Sequence, residues 1–211
     1  MKTYKKCLIA TALLGLTLVL PYRLSAVPVQ QTFHFKFMGL SGEGFFDSFD
    51  LSGCVETFIS LQAVDGRIKQ IGRPEVTSSA SVFISQIDNC TGAQLIGAFG
   101  SATLGDEAFQ ISKDLTSAAL HTTIEVDDFI SSTSFPVDIN VNWTGTGGAV
   151  NERDHFMLRM GGFRINSTFA GTFRGATASG SVTAGGTNFS PSPAVFADLS
   201  AVKAGELDVA H

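Results

Sequence analysis

Val137-Asp138-Ile139-Asn140-Val141-Asn142-Trp143 sets apolar and polar residues in unbroken alternation. Side chains along a β-strand point to opposite faces in turn, so a period of two marks a strand with one face buried and one in water. The pattern recurs outward in both directions. Phe33, Phe35 and Phe37 alternate with His34 and Lys36, and Val55, Thr57, Ile59 and Leu61 oppose Cys54, Glu56 and Phe58. Val82-Ile84, Leu120-Thr122-Ile124-Val126 and Ile165-Ser167-Phe169 repeat it. Turn signals separate these runs: Asp65-Gly66, Asp88-Asn89, Thr91-Gly92, Lys113-Asp114, Ser131 to Pro136, Gly145 to Gly148 and Gly185-Gly186. Several short strands at such spacing predict an all-β fold, an antiparallel β-sandwich of about ten strands. No stretch reads as a long amphipathic helix; Leu115 to Leu120 is the nearest, and it serves equally as a turn entering a strand.

Phe dominates the aromatic residues, 18 against a single Trp, and supplies bulk without a polar group to satisfy. The alternation therefore predicts core positions for Phe33, Phe35, Phe37, Phe58 or its neighbours Ile59 and Leu61, Ile84, Ile124, Ile139, Val141, Phe169 and Phe173.

With 211 residues and no domain-scale shift in composition, the chain has room for one such domain. Its 44% hydrophobic content suits a packed core, and a net charge of −5 disfavours nucleic acid and anionic membranes, which need clustered Lys and Arg. The first residues carry Lys2, Lys5 and Lys6, then an uncharged apolar run from Cys7 to Leu20, then Ser25-Ala26. This is the pattern of a secretory signal peptide, too short for a comfortable membrane span. Residues 1–26 are expected to be removed, leaving a single secreted domain over 27–211 with no stable membrane insertion. Cleavage takes away four cations and no acid, so the mature charge becomes −9. The protein is expected outside the cytoplasm, whether extracellular, at the cell surface or in the periplasm.

Two cysteines remain, Cys54 and Cys90, and in an oxidising compartment they most simply form one disulfide. Neither has a second Cys or a His at metal-ligand spacing, so neither a metal nor another cofactor is expected. Asp47/Asp50, Asp106/Glu107 and Asp127/Asp128 lie in or near turns but in no calcium-loop pattern. Asn89, Asn142, Asn166 and Asn188 stand in glycosylation sequons, meaningful only in a glycosylating host.

Gly145 to His155 is the longest polar interruption between strong strands, and it sets Asn151, Glu152, Arg153, Asp154 and His155 side by side behind Trp143. Loops on a rigid β scaffold carry binding groups, and an Asp-His pair can serve acid–base chemistry. The plainer reading is a solvated hairpin tip. Nucleophile signatures are missing: Gly39-Leu40-Ser41-Gly42 runs into Glu43, so no Gly-x-Ser-x-Gly elbow forms, and there is no HExxH, CxxC or phosphate loop. No catalytic residue is assigned. The expected role is non-enzymatic, binding or structural, towards an unidentified extracellular ligand or protein surface. The alternative is an extracellular hydrolase using His155 with Asp154 or Glu152. Carbohydrate binding would lean on Trp143 and the adjoining loop, and strand donation to an open sheet edge is a third mode.

The run Gly162-Phe163-Arg164-Ile165-Asn166-Ser167-Thr168-Phe169-Ala170-Gly171-Thr172-Phe173-Arg174, with Asn188-Phe189-Ser190-Pro191, resembles the C-terminal part of a group of secreted bacterial β-rich proteins. Gly53-Cys54-Val55-Glu56-Thr57-Phe58-Ile59 and Trp143-Thr144-Gly145-Thr146-Gly147 are similar to theirs as well. No activity is attached to that group, so the resemblance implies no site residues. Where those proteins carry several histidines after the Trp strand, this chain has only His155, which weakens a metal reading there.

Overall fold

The computed structural model describes residues 33–50, 54–70, 75–160 and 163–210. The expected signal segment and its cleavage point lie outside them. The described residues fall within one compact unit spanning 31–211. They form eleven strands and no helix: β1 Phe33–Asp50, β2 Val55–Gln70, β3 Val76–Asp88, β4 Ala93–Thr103, β5 Phe109–Ile111, β6 Ser117–Asp128, β7 Thr133–Gly145, β8 Val150–Met160, β9 Phe163–Ala184, β10 Thr187–Asn188 and β11 Phe196–Ala210. Every pairing is antiparallel, as the alternation requires.

The two walls of the expected sandwich belong to a single sheet. Hydrogen bonding runs β9-β11-β1-β2-β3-β4-β6, and β7 joins β6 back to β9, so eight strands complete a circuit. The narrowest seam is β4–β6, with only Ala98↔Asp128 and Phe99↔Asp127 in register. Asp128 secures it: its Oδ1 accepts the N–H groups of Gly97 (3.1 Å) and Ile130 (3.0 Å), and its Oδ2 the Ser131 hydroxyl (2.6 Å). Gly100 is required at the same seam, because a Cβ there would stand 2.3 Å from the Glu125 carbonyl oxygen.

The longest strands outrun the circuit. β7 and β8 follow one another along one edge of β9, Gly145 opposite Ala176 and Val150 opposite Phe173. The far parts of β8, β9, β11, β1 and β2 thus make a five-stranded extension. Where circuit gives way to extension, Lys203 is the extra residue of a bulge in β11. Gly39 and Gly66 face each other there across β1–β2, so close that a Cβ on Gly39 would lie 2.4 Å from the Gly66 Cα.

Inside the circuit the core is aliphatic around one indole. Ile59, Leu61, Val82, Ile84, Ile124, Val126, Val137, Ile139, Val141, Leu199 and Trp143 are buried. Trp143 reaches from β7 onto β1, where Gly42 and Gly44 leave its ring room; its Nε1–H donates to the Glu43 carbonyl oxygen at 2.8 Å, and Phe109 meets it edge-on. Several expected Phe positions are corrected. Phe58 is exposed, and Phe37, Phe169 and Phe173 are half-buried, outside the core of the circuit. The side chains of Phe33 and Phe35 lie outside the described residues. Among the described residues, the Phe buried in the core are Phe46, Phe109 and Phe189. In β1 the core-facing register is Gly42-Gly44-Phe46, which puts Phe45 on the outer face. Leu115 to Leu120 resolves as a turn entering β6, with Leu115 buried at φ +58°.

Candidate functional site

The polar run after Trp143 is a strand, not a loop. Only residues 146–149 interrupt it, and Asn151 to His155 pair along β9 from Thr172 to Thr168. Alternation then divides the group. Asn151 accepts the Thr172 hydroxyl (2.6 Å) and His155 Nε2 meets Asn166 Oδ1 (2.9 Å) on one face, with Arg153 between them. Glu152 and Asp154 belong to the other. The expected partnership of His155 with Asp154 or Glu152 is therefore broken by the strand itself. Trp143 is corrected too: at 1% exposure it is a core residue and offers no face to a ligand.

Another arrangement emerges from the register of the outer wall. Phe196 on β11 stands opposite Phe45 on β1, Phe45 opposite Ser60 on β2, Ser60 opposite Phe83 on β3, and Phe83 opposite Phe99 on β4. Directly opposed residues share a face, so these form one row across five strands. Phe58, beside Ser60, leans into it with its ring 6.1 Å from that of Phe45, and Phe45 lies 5.8 Å from Phe196. Phe129 extends the row by packing over Gly97, where a Cβ would fall 2.4 Å from its ring. Phe196, Phe58 and Phe99 remain 37–40% exposed and Phe129 59%. The opposite wall is different in kind: His121, Thr123 and Glu125 on β6, Asp138, Asn140 and Asn142 on β7, and Ser179 on β9 are all exposed and polar.

Two residues along each strand a second row runs parallel to the first. It reads Asp198, Glu43, Gln62, Ser81 and Ser101, in register across the same five strands. Gln62 Nε2–H donates to Glu43 Oε1 at 2.6 Å. Beyond it the hydroxyls of Ser41 and Ser200 are hydrogen-bonded at 2.6 Å and buried. Glu43 and Asp198 thus oppose each other with no cation in either row. Burial, then the adjacent Glu43, pushes the Asp198 carboxyl up to about 7. Burial likewise holds Glu43 above the usual carboxylate range, against the opposing pull of the Gln62 hydrogen bond.

The sign follows from linkage. A carboxyl whose folded pKa is raised binds its proton more tightly in the native state, so its contribution is fully present below the unfolded value of 3.8 and is lost as pH rises through about 7. The urea midpoint is expected to fall between those limits, and Asp198→Asn should flatten that slope. An Asp198→Asn profile superimposable on that of the unaltered protein would show that the pair does not hold the proton.

Sequence reasoning missed this wall because its rows join residues as distant as Glu43 and Asp198, and only strand register brings them together. Among the described residues no group of three or more His, Cys, Asp or Glu side chains is arranged to hold a metal ion. No family model, curated protein or solved structure matches the chain.

Proposed function

We propose that the protein works outside the cytoplasm as a non-enzymatic binding or structural module, with the Phe-lined wall of β11-β1-β2-β3-β4 as its contact surface. The exposed aromatic row carries this reading. A soluble domain ordinarily scatters its exposed apolar residues, whereas a contiguous apolar patch marks an interaction surface. Phe196 with Phe45 and Phe83 with Phe99 are directly opposed by register, and Phe58 fills in beside Ser60 between the two pairs, on strands fixed by a packed core, with hydrogen-bonding side chains alongside to orient what they hold. The Cys54–Cys90 disulfide supports an oxidising compartment. The strand alternation that separates His155 from Asp154 and Glu152 weighs against the hydrolase alternative.

The test is a binding array of peptides and glycans. Ligands retained by the unaltered protein should be weakened at least about tenfold by Phe58→Ser with Phe99→Ser, the scale of an aromatic hot spot. His155→Ala should leave them unchanged, and hydrolysis of ester, peptide and glycoside substrates should be undetectable. Turnover abolished by His155→Ala in a folded protein would overturn the reading, as would ligands indifferent to the Phe changes.

A further inference from the structure

The charges of this chain are segregated along its sheet. The strands of the Phe-lined wall, over residues 41–65, 76–103 and 196–202, contain no Lys or Arg; of their acids, Glu43, Asp47, Glu56 and Asp198 share the face of the Phe row by alternation, whereas Asp65 and Asp88 lie on the opposite one. The cations gather on the extension. Lys69 stands opposite Lys36 on β2–β1; Glu206, Thr168 and His155 continue that row through β11, β9 and β8. Arg67 and Arg153 lie on the same face by alternation, as do the opposed Arg159 and Arg164. Six cations therefore share this face with the acids Asp65, Glu206 and Asp208, and Arg67 pairs with Glu75 at 3.7 Å. Met38 and Met157 are 50% and 46% exposed among them, so the face is basic and partly apolar.

Resting on the reading of the Phe-lined wall as a contact surface, we propose that the partner it fits is a second copy of this chain, seated by the basic face of its extension. Charge and size both argue for it. An acidic, aromatic wall meets a basic face bearing exposed Met, and such complementarity fixes partner and register. Both faces are five strands wide. At roughly 4.8 Å per strand and 3.3 Å per residue, eight residues of each strand cover about 600 Å² in plan. That approaches the roughly 800 Å² per partner of a stable interface.

The geometry also fixes the kind of assembly. β1, β2 and β11 run through both regions, and the wall uses one face of these strands while the basic residues use the other. A copy seated on the wall leaves its own wall pointing onward, so the contact is head-to-tail and the pair does not close by a two-fold axis.

Sedimentation velocity of the full disulfide-bonded chain, from about 1 to 200 μM, tests this against the micromolar affinity scale. The weight-average mass should climb with concentration past that of a dimer. Phe58→Gln with Phe99→Gln removes the wall contact, and Lys69→Glu with Arg153→Glu removes the basic face. Each double variant alone should self-associate at least about tenfold more weakly, so that its mass curve is displaced to higher concentration. Far-UV circular dichroism and buried Trp143 emission report whether each is folded. An equimolar mixture of the two should form a 1:1 pair and nothing larger, since it retains one wall and one basic face. A monomeric unaltered protein, a mixture that stays monomeric, or a dimer insensitive to mixing would each overturn the proposal. In the first case, retention of a synthetic Lys/Leu amphipathic peptide, lost in the Phe variant, would leave the wall reading standing and assign it a foreign basic chain. Array ligands indifferent to the Phe changes would instead remove the wall reading itself.

Discussion

Replacing Trp143 by alanine should destabilise the fold by about 3–5 kcal/mol, the range for truncating a large buried aromatic. Domains of this kind are stable by only about 5–15 kcal/mol in total, so the variant would sit near the edge of unfolding. The size of the effect follows from what the indole does. It spans from β7 to β1, fills the space left by Gly42 and Gly44, meets Phe109 edge-on and gives its N–H to the Glu43 carbonyl. Alanine would leave a cavity between the two walls that neither can collapse to fill, because both are held in one hydrogen-bonded circuit. Trp143→Phe separates the two contributions: it keeps most of the ring and drops the hydrogen bond, whose net worth is about 1 kcal/mol. Urea denaturation followed by far-UV circular dichroism gives both numbers. An unchanged midpoint for Trp143→Ala would mean that the side chain does not join the walls.

Removing the Cys54–Cys90 bond is the second large effect. The two cysteines are 36 residues apart in sequence with Cα atoms 5.6 Å apart, and the bond closes the open end of the β2–β3 hairpin. In the chain-entropy account a loop of that length contributes about 4 kcal/mol by restricting the unfolded chain. The folded hairpin end has further ties, since the Asn89 N–H donates to the Cys54 carbonyl (2.9 Å) and the Asn89 side chain to Glu56 (2.8 Å). Cys54→Ala with Cys90→Ala should therefore keep the native circular dichroism spectrum while its urea midpoint drops. Two thiols alkylated in non-reducing denaturant, before any substitution, would contradict the bond.

Period-two alternation made the strands legible: Val137 to Trp143 and Leu120 to Val126 read as half-buried strands and are so. It does not say which of two apolar faces turns inward. In β1 a Phe stripe competes with Gly42 and Gly44, and the glycines win because a large indole arrives opposite them from a strand 100 residues away. The stretch Asn151 to His155 fails for the opposite reason. β8 lies in the extension with these residues mostly exposed on both faces, so hydrophobicity does not alternate and the run imitates a loop. Rows such as Phe196-Phe45-Ser60-Phe83-Phe99 are properties of register, which a single strand's sequence does not contain.

The seating of β11 between β1 and β9 has a consequence for folding. Phe33 is paired with Val209, so the first described strand finds its neighbour in the last described one, some 175 residues along the chain. Hairpins such as β2–β3 and β6–β7 close over short stretches of chain, but the circuit stays open until β11 arrives, and such long-range closure makes folding slow. Until then one edge of β1 is unpaired, a template for any other extended chain nearby.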